Sequence, residues 1–219
     1  MFKRFTAFVM VLIMIGCAVA LATEYPCEGV ANASSVRVRK KAASSGKQVT
    51  TLKKGETVQV LGETVKTNGD IWYQVETENG KKGYVLGDYL SIPETALIEA
   101  AENSEDAIKM KMTVKANCKD YNGVGKNWTQ YHEWNGIKIE DGSMEVILAP
   151  EIEFTVYSRI REQDSKPDTS TDKVSYLPTA EEIENGFTVT QKIEVTENGG
   201  KYKNNIAYWT VTFTFEPMK

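Results

Sequence analysis

Histidine is nearly absent from this chain: His132 is the single one in 219 residues. That scarcity removes most metal-hydrolase chemistry, because a zinc site of the amidase or metallopeptidase type draws on at least two histidines or an H-E-x-x-H helix. Cysteine is almost as scarce, with Cys17, Cys27 and Cys118. A thiolate nucleophile needs a base beside it, and Cys118 with His132 is the only pairing on offer. The pattern around Cys118 argues against it. In "KMKMTVKANC", Met110, Met112, Val114, Ala116 and Cys118 recur at every second residue, which puts them on one face of a strand turned to a core. His132, in "WTQYHEW", reads as a surface strand residue. A charge excess is missing too: 26 basic against 30 acidic residues give a net charge of −4. Binding DNA or RNA requires a basic face that displaces counterions, so nucleic acid is excluded as a partner. Glycine and proline are not enriched and 41% of residues are hydrophobic, which fits a globular chain and neither a fibrous nor a disordered one.

What is present begins at the N-terminus. "MFKR" sets two positive charges before the apolar run "FTAFVMVLIMIGCAVALA", which closes on Ala20-Leu21-Ala22. A basic start, a hydrophobic core and an A-x-A exit describe a secretory signal peptide over residues 1–22. Two other readings stay open. The run approaches the length of a spanning helix, and "MIGC" resembles a bacterial lipobox that would lipidate Cys17. Each of the three places the body of the protein outside the cytoplasmic membrane, with membrane contact only through a retained or lipidated N-terminus. In such an oxidising setting Cys27 and Cys118 are free to pair, but two thiols far apart in sequence do not require it.

Residues 28–91 break into short strand-like runs, "VRVRK", "TVQVLGETV", "IWYQVETE" and "KKGYVLG", punctuated by Ser45-Gly46, Lys54-Gly55, Asn68-Gly69 and Asn79-Gly80. Asn-Gly between alternating runs is a strong hairpin signal, since both residues tolerate positive φ in a tight turn. Several strands in so short a segment predict a small barrel. The residues "SVRVRKKAASSGKQVTTLKKGETVQVLGE" and "DIWYQVETENGKKGYVLGDYLS" also resemble the bacterial SH3-like family. Its pattern runs V-N-V-R, a variable loop, L-x-K-G-x-x-V-x-V, a Trp-centred strand and N-G-K-x-G-Y/W-V-x-x-x-Y-L. Arg37 stands where that pattern has Asn, and "KKAA" (Lys40 to Ala43) replaces its Ser-Gly-Pro-Ser-like loop.

The resemblance implies recognition of peptidoglycan peptide or of an envelope partner. Aromatic faces pack on sugar rings or peptide carbons while their polar tips make hydrogen bonds, and arginine meets carboxylates bidentately. The expected ligand-binding residues are Arg37, Arg39, Lys40, Trp72, Tyr84 and Tyr89. Alternation sets Trp72 and Gln74 opposite Tyr73 and Val75, so two or three of the four tyrosine and tryptophan rings are expected at a groove.

Residues 92–108, "IPETALIEAAENSEDAI", lack strand alternation and read as an acidic, solvated linker with one short helix begun by Pro93. Residues 109–219 are again strand-rich. Phe154, Val156, Ser158 and Ile160 share one face; so do Phe187, Val189, Ile193 and Val195, and so do Ala207, Trp209, Val211, Phe213 and Phe215. One-sided alternation of this kind builds two stacked antiparallel sheets. The fold class is therefore all-β, a small barrel followed by a β-sandwich.

In the sandwich the segment "REQDSKPDTSTD" reads as an acidic loop that weakly resembles the calcium loop of C2-type sandwiches. Its Glu162, Asp164 and Asp168, with Asp120 from another loop that could share the same end of the sandwich, are the candidate metal ligands, since a hard cation such as Ca²⁺ takes oxygen donors; no other cofactor is expected. Thirty acidic residues also leave a carboxylate-pair hydrolase open by count, though a small sandwich offers little cleft depth for two carboxyls across a sugar. The leading expectation is a secreted or envelope-associated, non-catalytic binding protein whose SH3-like module recognises peptidoglycan or a wall-associated protein. A cell-wall hydrolase and a calcium-dependent adhesion sandwich are the alternatives.

Overall fold

The computed structural model describes residues 25–66, 69–163, 167–199 and 201–218. The expected signal peptide with Cys17, and Asp164, lie outside the described residues. The first module is a curled antiparallel sheet of seven strands: β1 (Cys27–Ala31), β2 (Val36–Arg39), β3 (Gln48–Leu52), β4 (Thr57–Val65), β5 (Ile71–Thr77), β6 (Lys82–Leu86) and β7 (Leu90–Ser91). Their order across the sheet is β3-β2-β6-β5-β4-β1-β7. Each expected turn dipeptide falls between two of these strands. At the β5–β6 hairpin Gly80 takes φ +71°, a conformation that costs glycine nothing. Val36, Val38, Leu52, Val58, Val60, Val75, Val85 and Leu90 fill the inside of the curl.

The second module stacks two four-stranded sheets, with orders β10-β9-β12-β13 and β11-β8-β15-β14. Its strands are β8 (Ile108–Asp120), β9 (Trp128–Trp134), β10 (Ile137–Lys138), β11 (Ser143–Leu148), β12 (Phe154–Glu162), β13 (Thr169–Tyr176), β14 (Phe187–Thr196) and β15 (Ile206–Pro217). The inward residues are those that period-two alternation selects, among them Met110, Met112, Phe154, Val156, Ile160, Val189, Val211, Phe213 and Phe215. Phe187 stacks on Phe215 at 4.7 Å between ring centres. Gln191 is a polar intruder in this core. Its amide donates across to the Val156 carbonyl at 3.2 Å and the Asp172 carbonyl at 3.1 Å, so its donor group is used and the two sheets are tied together.

A helix joins the modules and another bridges the sheets. Residues 92–108 carry α1 (Thr95–Glu102), whose Ile98 packs on the sandwich core. Between β13 and β14, α2 (Ala180–Asn185) opens on a capping box in which Thr179 and Glu182 satisfy each other's backbone N–H groups. The start of the 92–108 segment departs from a solvated spacer. Glu94 N–H donates to the Asn135 carbonyl at 2.8 Å, and its carboxylate takes a hydrogen bond from Thr155 at 3.0 Å and pairs with Lys173 at 2.6 Å.

These contacts belong to a wider junction between the modules. The outer face of β9 and β12, opposite the apolar filling, carries Tyr131, Glu133, Thr155, Tyr157, Arg159 and Arg161. Alternation alone assigns such a face to water. Instead Thr155, Tyr131 and Arg159 are buried, and the guanidinium groups of Arg159 and Arg161 pair with Asp88 and Asp70 of the barrel. Gly136 lets the chains approach: it has φ +72°, and a Cβ there would sit 1.8 Å from the Ile92 carbonyl oxygen.

Candidate functional site

The outer surface of the barrel gathers most of the expected ligand-binding residues. Val36 and Val38 point into the core, so Arg37 and Arg39 of β2 point out. Register completes the face: Arg39 lies opposite Tyr84, Gln74 opposite Tyr84, and Trp72 opposite Leu86. A groove of about 420 Å³ runs over this face, lined by Ser35, Arg37, Arg39, Ser44, Trp72, Leu86 and Tyr89. Trp72 is only 3% exposed and forms part of the floor, whereas Tyr89, on the 3-10 turn Gly87–Tyr89, is 45% exposed.

The two arginines differ in freedom. Arg39 donates to the Gly46 carbonyl at 2.8 Å, which fastens the 40–46 loop to β2 and brings Ser44 to the groove wall. Arg37 is exposed and belongs to no ion pair among the described residues. Of the expected set, Arg37, Arg39, Trp72 and Tyr89 meet at this groove. Tyr84 shares the sheet face without lining the groove, and the exposed Lys40 sits on the loop beyond it. Tyr73 turns the other way and packs against the barrel core.

Of the expected metal ligands, Asp120, Glu162 and Asp168 are among the described residues, each in its own surroundings. The segment read as one acidic loop includes the end of β12 and the start of β13, so Glu162 and Asp172 are strand residues. Glu162 is buried beside Gly125. Asp168 is buried and committed to Asn198, accepting from its backbone N–H at 3.1 Å and its side-chain amide at 2.6 Å. Asp120 is exposed and accepts from the backbone of Asn122 at 2.9 Å, closing its own turn. Among the described residues no group of three or more His, Cys, Asp or Glu side chains is placed to hold a metal ion.

His132 corrects a second expectation. It is not a surface residue: it lies on the inward face of β9, its Nδ1 2.9 Å from the Ser158 hydroxyl and its ring edge-on to Phe213. Burial lowers its pKa to about 4, so it is neutral at physiological pH. Burial also pushes the Cys118 thiol up. Cys27 and Cys118 are both free thiols.

Aromatic residues at one end of the sandwich escaped the sequence reading. Tyr121 is 47% exposed and rests on Trp128 and Trp209, at 6.0 and 6.1 Å between ring centres. Tyr202 packs over Gly123. The loops that carry them are stapled: the Asn122 amide donates to the Ile206 carbonyl at 2.7 Å, and the Asn205 amide donates to the Asn122 carbonyl. The only sequence signal was a tyrosine inside each of two Gly/Asn-rich loops.

Residues 34–91 match the family model of the bacterial SH3 domain, and this segment of the chain is such a domain. The match omits β1, which nevertheless belongs to the barrel sheet through β4 and β7, and it includes Asp70 and Asp88, which pair with the sandwich. No curated protein matches the chain. Among the described residues no helix is long and apolar enough to cross a membrane.

Proposed function

We propose that this protein is an exported, non-catalytic binding protein of the bacterial cell envelope, whose SH3 groove takes hold of peptidoglycan or a wall-associated protein. The observation that carries the proposal is the meeting of Arg37, Arg39, Trp72 and Tyr89 around one groove in a domain class that suits wall recognition. The Tyr89 ring and Leu86 offer apolar surface to a sugar ring or a peptide stem. Arg37, exposed and in no ion pair among the described residues, is the group that would take a carboxylate of an acidic peptide or wall polymer. Arg39 holds the loop that walls the groove and acts as a positioning residue. The basic, apolar and small-residue pattern of residues 1–22 supports export.

A non-catalytic role is supported by the state of the two groups best suited to nucleophilic chemistry. His132 is neutral, buried and held on Ser158, and the Cys118 thiol is raised, not lowered. An activated thiolate requires the opposite shift. The test is co-sedimentation of the purified full chain with isolated sacculi at low salt. Retention that falls at least about tenfold on Arg37→Ala is expected from loss of a charge-assisted contact. Absence of retention would remove the proposal, and release of soluble muropeptides during the same incubation would replace it with a hydrolase.

A further inference from the structure

The junction between the modules forms a half-open cavity of about 150 Å³. Tyr73 and Ile71 of the barrel line one side; Tyr157, Glu133 and Arg159 of the sandwich line the other. A cavity of this size is known to admit a ligand of about six heavy atoms, and junctions between domains are a preferred place for small-molecule sites. This cavity is distinct from the barrel groove, and its chemistry does not depend on the function proposed for that groove.

Its walls are not chemically balanced. Arg159 is paired with Asp88, and Lys173 with Glu94. Lys138 lies 5.8 Å from the centre of the Tyr131 ring and forms no ion pair with Glu133. Glu133 is thus the lining carboxylate that forms no salt bridge among the described residues, Lys173 and Arg159 acting on its charge only from a longer distance. One of its oxygens accepts from the Tyr131 hydroxyl at 2.6 Å; the other accepts nothing from the described residues. The Tyr157 hydroxyl is buried with no hydrogen-bond partner. A buried hydroxyl left unsatisfied carries a desolvation cost, and Glu133 stands opposite Tyr157 on the paired strand. The Tyr131 ring is already occupied by Arg159, 5.2 Å from its centre, while the rings of Tyr73 and Tyr157 face the same space.

We propose that this cavity binds a small organic cation, a primary alkylammonium group seated between the Glu133 carboxylate and the Tyr157 hydroxyl, with the rings of Tyr73 and Tyr157 against its carbon chain. An ammonium group has three donors and no acceptor, which complements the two open oxygens. Aromatic faces favour a cation where water is excluded. An anion is disfavoured because the two cations that line the cavity, Arg159 and Lys173, are already paired. Burial raises the Glu133 carboxyl to about 7, the Tyr131 hydrogen bond, Lys173 and Arg159 pulling against it and Glu94 adding to it. The site therefore charges over the neutral range.

The test is a titration of the full chain, with detergent to hold its apolar N-terminal run, by n-butylammonium chloride. Butanol and sodium butyrate serve as neutral and anionic controls, and binding is followed by NMR chemical shifts. Saturable, roughly millimolar binding of the cation alone is expected for a ligand this small. Affinity should rise roughly 30-fold between about pH 5.5 and about pH 8.5, in proportion to the ionised fraction of Glu133. Glu133→Gln should weaken it at least about tenfold and Tyr157→Phe several-fold, while Arg37→Ala leaves it unchanged. Glu133→Gln removes a charge from a buried site, and an unchanged thermal transition or a higher one will show that the fold is kept. A capped lysine peptide sorts the source: tighter binding than butylammonium points to a side-chain amine, weaker binding to a free amine. No saturation up to about 100 mM, equal binding of butanol, or full affinity in Glu133→Gln would overturn the proposal.

Discussion

The two outer faces of the sandwich show the same alternation in sequence and meet different surroundings. On β8, β14 and β15 the outward residues are Lys109, Lys111, Lys115, Thr188, Thr190, Thr210, Thr212 and Thr214, and they are exposed or half-buried. On β9 and β12 they are Tyr131, Glu133, Thr155, Tyr157, Arg159 and Arg161, and the barrel covers them. Period two tells which residues face the filling of the sandwich. It does not tell whether the opposite face sees water. The residue types do carry a signal: tyrosine and arginine are enriched where surfaces meet, and lysine is depleted there.

The largest expected effect comes from breaking the covered face while sparing the open one. Arg159→Ala leaves Asp88 facing the junction without its cation, and a broken buried pair costs about 3–5 kcal/mol. Lys54 and Glu140 also pair across the modules at 2.8 Å, but their side chains are 58% and 49% exposed. Lys54→Ala should cost no more than about 1 kcal/mol. Denaturant unfolding of both variants checks this ordering, and similar losses would mean that the junction is no drier than the surface.

Next comes a comparison of two glycines with nearly the same backbone. Gly136 and Gly80 have φ of +72° and +71°. Replacing either by alanine incurs the left-handed penalty of about 1–2 kcal/mol. At Gly80 no atom stands within 4 Å of the new Cβ, whereas at Gly136 the Ile92 carbonyl stands at 1.8 Å. Gly136→Ala should therefore lose at least about 1 kcal/mol more than Gly80→Ala, with the excess read as parting of the modules. Equal melting shifts for the two would show that Ile92 can move aside freely.

The smallest effect is a pH dependence. The Glu133 carboxyl is raised from 4.5 to about 7, so its contribution to stability is fully present below about pH 4.5 and is lost as pH rises through about 7. The swing is on the order of 2 kcal/mol. Glu133→Gln should flatten that alkaline limb. The acid limb should survive, because His132, lowered from 6.5 to about 4, contributes stability above about pH 6.5 that is lost as pH falls toward 4. An alkaline limb that persists in Glu133→Gln would assign it to another group.

Much of the fold was legible in the sequence, for physical reasons that also mark where legibility ended. Turn dipeptides and the family pattern located the barrel strands, because Gly55, Gly69 and Gly80 sit where φ is positive. Alternation assigned the inward faces of β8, β12, β14 and β15, and it separated Trp72 from Tyr73. The same rule, applied to "WTQYHEW", would have turned His132 inward, since it shares parity with Trp128 and Trp134; the polar character of the ring concealed this. The acidic segment after Arg161 misled because Glu162 and Asp172 continue paired strands and Asp168 is spent on Asn198. Tyr131, Glu133 and Tyr157 were invisible as a site, because it takes the pairing of β9 with β12 to bring them together and the docked barrel, with Ile71 and Tyr73, to supply the opposite wall.

The central claim is that the barrel groove, and not the sandwich, holds the envelope. It is tested most directly by sacculus co-sedimentation of three chains side by side: wild type, the double variant Arg37→Ala with Tyr89→Ala, and Lys115→Ala on the open sandwich face. The account expects wild type and Lys115→Ala to sediment alike and the double variant to stay in solution. Retention of the double variant at the wild-type level would contradict it.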